Sequence, residues 1–136
     1  MSDEDMNRLV YEAQQLRGQG EQLQAQLDSI ADSVNEAAST IDALKEFKKN
    51  PEMAMVPVGS GVYVKGGKIK AATVLIGVGA NVLVERPLDQ AIATLEKRIE
   101  ASRKLSEQIG KALADINSRL ETIDNQAKKM IEEEGA

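Results

Sequence analysis

The chain's 136 residues suffice for one domain, and its 42% hydrophobic content is almost free of rings, Tyr11, Phe47 and Tyr63 being all the aromatics. His, Cys and Trp are absent, which excludes imidazole bases, thiol nucleophiles, disulfides and soft-ligand metal centres, so neither an enzyme nor a cofactor is expected. Seventeen basic residues against twenty-two acidic ones leave a formal charge of −5, the wrong sign for a phosphate-backbone binder, so no nucleic-acid partner is expected.

The opening residues, Ser2-Asp3-Glu4-Asp5, lack the basic-then-apolar layout of a secretory signal. The longest apolar stretch, Thr73 to Val84, is interrupted by glycines and Asn81 and is too short to span a bilayer. A soluble, cytoplasmic chain with no membrane partner is the expectation.

From about Asp5 to Lys49 apolar residues recur with a seven-residue period. With Met6 at position a, the a series continues through Ala13, Gly20, Leu27, Val34 and Ile41. The d series is Leu9, Leu16, Leu23, Ile30, Ala37 and Leu44. Eleven of these twelve residues are apolar, and a three-then-four spacing held over six heptads predicts a coiled-coil helix. Ser2 and Asp3 suit its cap, Glu4 and Asp5 its positive end, and Lys45, Lys48 and Lys49 its negative end; Asn50-Pro51 stops it.

Residues 53–86 read differently, with Gly59, Gly61, Gly66, Gly67, Gly77 and Gly79 set among Val, Ile, Leu and Tyr. Four strands are predicted at Met53–Val58, Val62–Ile69, Thr73–Val78 and Val82–Arg86, paired as two hairpins through Gly59-Ser60-Gly61 and Gly79-Ala80-Asn81. Pro57 places the first strand at an edge. Thr73–Val78 and Val82–Val84 are apolar on both faces and need cover that this chain lacks. Partner chains are therefore expected over Val62, Val64, Val74, Leu75, Ile76, Val78, Val82 and Val84, the candidate oligomerisation residues.

A second heptad segment occupies 87–134, with Pro87 expected in its opening turn and Asp89 just inside. Its d series is Leu88, Leu95, Ser102, Ile109, Ile116, Ile123 and Met130; its a series is Ile92, Ile99, Ser106, Leu113, Leu120 and Ala127. Each helix would be about 65 Å long at 1.5 Å per residue. Folding the second back along the first sets a layers against d layers wherever residue numbers sum to 136. That register opposes small to large: Gly20 to Ile116, Ala13 to Ile123, Ala37 to Ile99, Ala127 to Leu9. The fold class predicted is α+β: a long antiparallel two-helix coiled coil, one domain over 1–136, with two β-hairpins at the bend.

The far tip of this arrangement is poorly finished. Gly18, Gly20 and Gly110 each cost about 1 kcal/mol relative to Ala in a helix, and Glu132, Glu133 and Glu134 crowd the negative end of the second helix. Fraying there would expose Met6, Leu9, Val10, Met130 and Ile131, an adaptable apolar contact surface.

Other motifs carry no chemistry. Gly77-Val78-Gly79 lacks the third glycine of a dinucleotide fingerprint, and Val64-Lys65-Gly66-Gly67-Lys68 has the wrong spacing for a phosphate loop. Ser102 and Ser106 have no base and weaken two layers of the seam; Glu96 and Glu100 belong to a solvated helix face.

The order helix, two hairpins, helix resembles the α-class subunit of prefoldin over essentially the whole chain. Its most specific text is Val56-Pro57-Val58-Gly59-Ser60-Gly61-Val62-Tyr63-Val64 and Val74-Leu75-Ile76-Gly77-Val78-Gly79-Ala80-Asn81-Val82-Leu83-Val84-Glu85-Arg86, with Val58 where the family often has leucine. The lack of an extended tail is similar to the archaeal type. The resemblance implies an ATP-independent holdase in which two α and four β prefoldin subunits join their hairpins into an intersubunit β-barrel. It also implies unfolded clients held between coiled-coil tips and passed to a group II chaperonin. A prefoldin-like chain assembling into filaments, or a coiled-coil scaffold for a folded partner, are the alternatives.

Overall fold

The computed structural model describes residues 3–50, 55–59, 61–65 and 73–135. Helix α1 (Asp3–Lys49) is followed by strands β1 (Met55–Gly59), β2 (Val62–Lys65), β3 (Thr73–Gly79) and β4 (Val82–Pro87), then helix α2 (Leu88–Glu134). The chain divides into two compact units, Met1–Asp32 with Arg103–Ala136, and Ser33–Ser102.

Burial follows the heptads. Every a and d residue of both helices is buried or half-buried, Gly20, Ser102 and Ser106 included, while most other helix positions are exposed. The stripe is narrow, as a two-helix seam requires: among the described residues only Ala13, Ile41, Leu88, Ala91, Ile109, Ile123 and Met130 are buried apolar residues, and none of them completely. In the first unit the register is fixed at Gly20, where an added Cβ would meet Ile116 Cγ2 and Leu113 Cδ2 at 3.8 Å each. Small faces large in that layer, beneath an open groove of about 330 Å³. In the second unit Val34 and Ala37 line a common groove with Ile99 and Ser102, and Lys48 Nζ bonds Asp89 Oδ1 at 2.9 Å. Both units therefore hold antiparallel helical segments.

Helix ends obey local rules. Asp3, Glu4 and Asp5 occupy the first turn of α1, and Lys48 and Lys49 its last. Asn50 finishes α1 by donating its backbone N–H to Glu46 O (2.9 Å) and its side-chain amide to Glu46 Oε1 (3.0 Å). Ser2 and Pro51, expected at the two ends, lie outside the described residues. Pro87 is a correction: it closes β4, paired with Thr73, and α2 opens at Leu88. Its fixed φ and missing N–H suit the end of an edge strand as well as a helix start.

The strands form two separate antiparallel two-stranded sheets, β1–β2 and β3–β4. Their registers repeat at an interval of twenty residues: Val56↔Val64, Pro57↔Tyr63 and Gly59↔Val62 in one match Ile76↔Val84, Gly77↔Leu83 and Gly79↔Val82 in the other. Each carries one extra residue, Val58 or Val78, just before the turn. The second turn places Ala80 and Asn81 at φ of 50° and 60°, the primed geometry that matches strand twist. Gly59, Gly61 and Gly79 also have positive φ, which explains glycine there. Three strands run one residue past their predicted ends, β1 to Gly59, β3 to Gly79 and β4 to Pro87; β1 is described from Met55 and β2 as far as Lys65. The rest of the predicted second strand, beyond Lys65, and Met53 lie outside the described residues.

Candidate functional site

Two surfaces carry candidate residues, one in each unit. The first is the end of the first unit, where α1 begins and α2 finishes. Met130 is buried there at 6% exposure, and Met6 and Leu9 are half-buried, so the intact seam uses three of the five predicted contact residues as packing. The other two are open, Val10 at 49% and Ile131 at 62%. Each directly follows a d residue, Leu9 or Met130, and in an antiparallel pair such positions flank the same side of the seam. That flank also contains a groove lined by Val10, Ala13, Arg17, Ile123 and Asp124.

The opposite flank is polar. A groove of about 480 Å³ runs over Leu9 and Met130 between Asp5, Glu12, Arg119, Gln126 and Glu133. Arg119 donates from Nε to Glu12 Oε1 (2.7 Å) and from Nη2 to Glu12 Oε2 (2.9 Å), a two-point fork between the helices. These hydrogen bonds, opposed by partial desolvation and aided by the guanidinium charge, hold the Glu12 carboxyl below the usual carboxylate range. They raise Arg119 correspondingly. Arg8 bonds Asp5 Oδ1 at 2.8 Å on the same rim. One flank of this end thus sets open apolar side chains among charged ones, and the other is polar with its charges paired between and along the helices.

The second surface is on the strands. Leu75, Val78, Val82 and Leu83 of the β3–β4 hairpin are each more than half exposed, as are Val62 and Tyr63 of β2. Leu75 and Leu83 lie on one face and the half-buried Val74, Ile76 and Val84 on the other, as the pairing register and pleat dictate. Arg98 Nη2 donates to Gly77 O at 2.9 Å, tying β3 to α2, and Thr73 Oγ1 bonds Glu85 Oε1 at 2.9 Å across the hairpin. Of the predicted oligomerisation residues, Val62, Leu75, Val78 and Val82 are open, and Val74, Ile76 and Val84 are partly covered; the side chain of Val64 lies outside the description.

Sequence reasoning did not single out five residues of these two surfaces. Tyr11, 64% exposed beside Val10, sits at an outward heptad position where a single ring gives no pattern. Tyr63 and Leu83 occupy matching places in the two hairpins, a repeat that aligning the two glycine turns reveals. The Glu12–Arg119 fork joins the residues just before Ala13 and Leu120, and a search for opposite charges flanking the seam finds it.

A family model described as "Prefoldin subunit" matches residues 16–133. The chain belongs to the prefoldin family. Its relatives include the prefoldin subunit alpha of Pyrococcus horikoshii, 26% identical over 132 residues that cover 95% of this chain and 89% of that one. The prefoldin subunit alpha of Thermofilum pendens is 33% identical over 112 residues, covering 81% and 84%. Among solved structures, filamentous PFD from Methanocaldococcus jannaschii superposes with a TM-score of 0.73 at 21% identity, covering 85% of this chain and 97% of that chain, a likeness of fold. Prefoldin subunits are chaperone components without enzymatic activity, and this chain, similar to α subunits, is a prefoldin chaperone subunit. Among the described residues no helix is long and apolar enough to cross a membrane.

Proposed function

We propose that the chain is the α-type subunit of an ATP-independent holdase, assembling through its hairpins with β-type prefoldin subunits. It retains non-native proteins at the α1-start and α2-end surface before their transfer to a group II chaperonin. The observation carrying the reading is Val10 and Ile131 standing open on one flank of the seam. Fully burying one such side chain contributes about 1.5–3 kcal/mol, so a single tip binds weakly once ordering costs are subtracted. Several tips on one assembly convert weak contacts into avidity, by about 10²- to 10⁴-fold where geometry permits. Release then requires no nucleotide, because each contact is short-lived. Opening of the last turns would add Met6, Leu9 and Met130 to the contact set.

Assembly has its own physical motive. Leu75, Val78, Val82 and Leu83 expose apolar surface next to unpaired strand edges, which a partner strand would satisfy. Two α with four β subunits joined in a β-barrel is the arrangement we favour. A filament of prefoldin-like chains is the second reading, favoured by the fold shared with filamentous PFD. A scaffold binding one folded partner is the remaining alternative.

One pair of double variants tests the proposal. Val10→Ser with Ile131→Ser should leave the mass of the complex with a co-expressed β-type chain unchanged and abolish suppression of aggregation for several unrelated unfolded clients. Leu75→Ser with Leu83→Ser should instead prevent the complex from forming. Client retention unaffected by the first pair refutes the site, and fibres of the unaltered chain in electron micrographs favour the filament.

A further inference from the structure

The charge of this chain is unevenly placed. The unit Met1–Asp32 with Arg103–Ala136 has eight basic and fourteen acidic residues, a balance of −6; Ser33–Ser102 has nine and eight, a balance of +1. The excess concentrates further. Between Asp3 and Glu12 four carboxylates stand against one guanidinium, and between Asp124 and Glu134 four stand against two ammonium groups. These two segments alone sum to −5, the formal charge of the entire chain.

Helix stability does not explain this. Carboxylates suit the start of α1, but Glu132, Glu133 and Glu134 lie at the end of α2, where the dipole disfavours anions, and no basic residue occupies that last turn. The paired charges of the polar flank, Arg119 with Glu12 and Arg8 with Asp5, are already satisfied by each other. The apolar flank is arranged differently. In the register set by Gly20 against Ile116, the order inward from the end is Asp3, Ile131, Val10, Asp124 and then Arg17: two open apolar side chains bracketed by two exposed carboxylates, with one guanidinium beyond them. Asp124 has a local partner in Lys128 at 3.3 Å, and both groups stay exposed to solvent.

We infer that this flank selects client segments in which alternate apolar residues are bracketed by lysine or arginine, and rejects segments bracketed by acidic residues. The inference rests on the tip being the client surface and adds the chemical class of client. Spacing supports it as charge does. Ile131 and Val10 are offset along the axis by five residues of helical rise, about 7.5 Å. Two residues of extended chain cover about 6.7 Å, so side chains at i and i+2 of a client strand reach both. Asp3 and Asp124 are offset by nine residues, about 13.5 Å, or four residues of extended chain. A cation–apolar–any–apolar–cation segment therefore matches both spacings; in an extended chain its cations leave the face opposite its apolar pair, and the long, flexible stems of lysine and arginine carry their charged heads round to the carboxylates.

The test uses the full chain and fluorescein-labelled peptides with one alternating Leu/Ser/Val core, flanked by lysines, by glutamates or by serines. At low salt the lysine-flanked peptide should bind about five- to tenfold more tightly than its glutamate twin, the product of a few exposed ion pairs. The preference should collapse at about 1 M salt, where the Debye length falls to about 3 Å. It should invert in the Asp3→Lys, Asp124→Lys variant. Equal affinities for all three peptides, abolished by Val10→Ser with Ile131→Ser, overturn charge selection and leave the tip surface standing. Peptide binding indifferent to both variant pairs, or no binding of any peptide, overturns selection and tip together.

Discussion

Replacing Gly20 by Ala measures the seam directly. Gly20 lies inside α1, where Ala is favoured by about 1 kcal/mol because glycine loses more backbone entropy. The new methyl would sit 3.8 Å from Ile116 Cγ2 and from Leu113 Cδ2, ordinary contact that needs no displacement. A buried methylene is worth about 0.8 kcal/mol, and this half-buried site realises about half of that. The sum, about 1.4 kcal/mol, divided by an unfolding entropy of about 2.1 cal/mol/K per residue, raises the midpoint by about 5 °C. Gly18 is the control: nothing lies within 4 Å of its added Cβ, so Gly18→Ala should gain only the helix term. Thermal unfolding followed by helical ellipticity, at fixed protein concentration because assembly shifts apparent stability, reads both variants. An Ile116→Ala background should reduce the excess of Gly20→Ala over Gly18→Ala, leaving only the share contributed by Leu113. A midpoint that falls in Gly20→Ala, or an excess indifferent to Ile116, refutes the register.

Three further outcomes follow from the same geometry. The lowered Glu12 pKa means that its fork with Arg119 stabilises the fold above the ordinary carboxylate range and that this contribution is lost as pH falls through the folded-state value. Arg119→Ala should therefore unfold earlier than the parent at neutral pH, and the two melting curves should converge in acid. Ala80→Gly should stabilise the second hairpin by about 0.5–1 kcal/mol, because Ala80 is held at φ 50°, whereas Gly79→Ala, at φ 110°, should destabilise it; amide hydrogen exchange along β3 and β4 reports both. Ser102→Leu should add about 1–2 kcal/mol by filling the groove of about 550 Å³ beside Val34, Ala37 and Ile99, and a drop in the denaturant midpoint would contradict that packing.

The heptads were legible because a seam is a periodic object. Ser102 and Ser106 kept their layers despite being polar, and Gly20 kept its layer despite having no side chain, since position in the repeat outranks identity at single sites. The hairpin turns were legible through Gly59, Gly61 and Gly79, whose positive φ leaves few alternatives. Pro87 misled because a fixed φ serves both a strand end and a helix start. Helix glycines and adverse dipole charges mark the candidate tip as one fraying apolar cluster, and the structure resolves it into packing residues, Met6, Leu9 and Met130, and open ones, Val10 and Ile131. That distinction depends on which flank of the seam a residue occupies, and the a/d periodicity alone does not register it.

The extra residue that precedes each turn, Val58 in one hairpin and Val78 in the other, has a consequence for coexistence in a crowded cell. Such insertions tighten the local coiling of a ribbon and bend its rim, so a flat, straight strand from an unrelated chain finds no continuous row of donors and acceptors to zip along. A strand with the same curvature does. Shape at the rim thus favours a partner of matching curvature over a flat one.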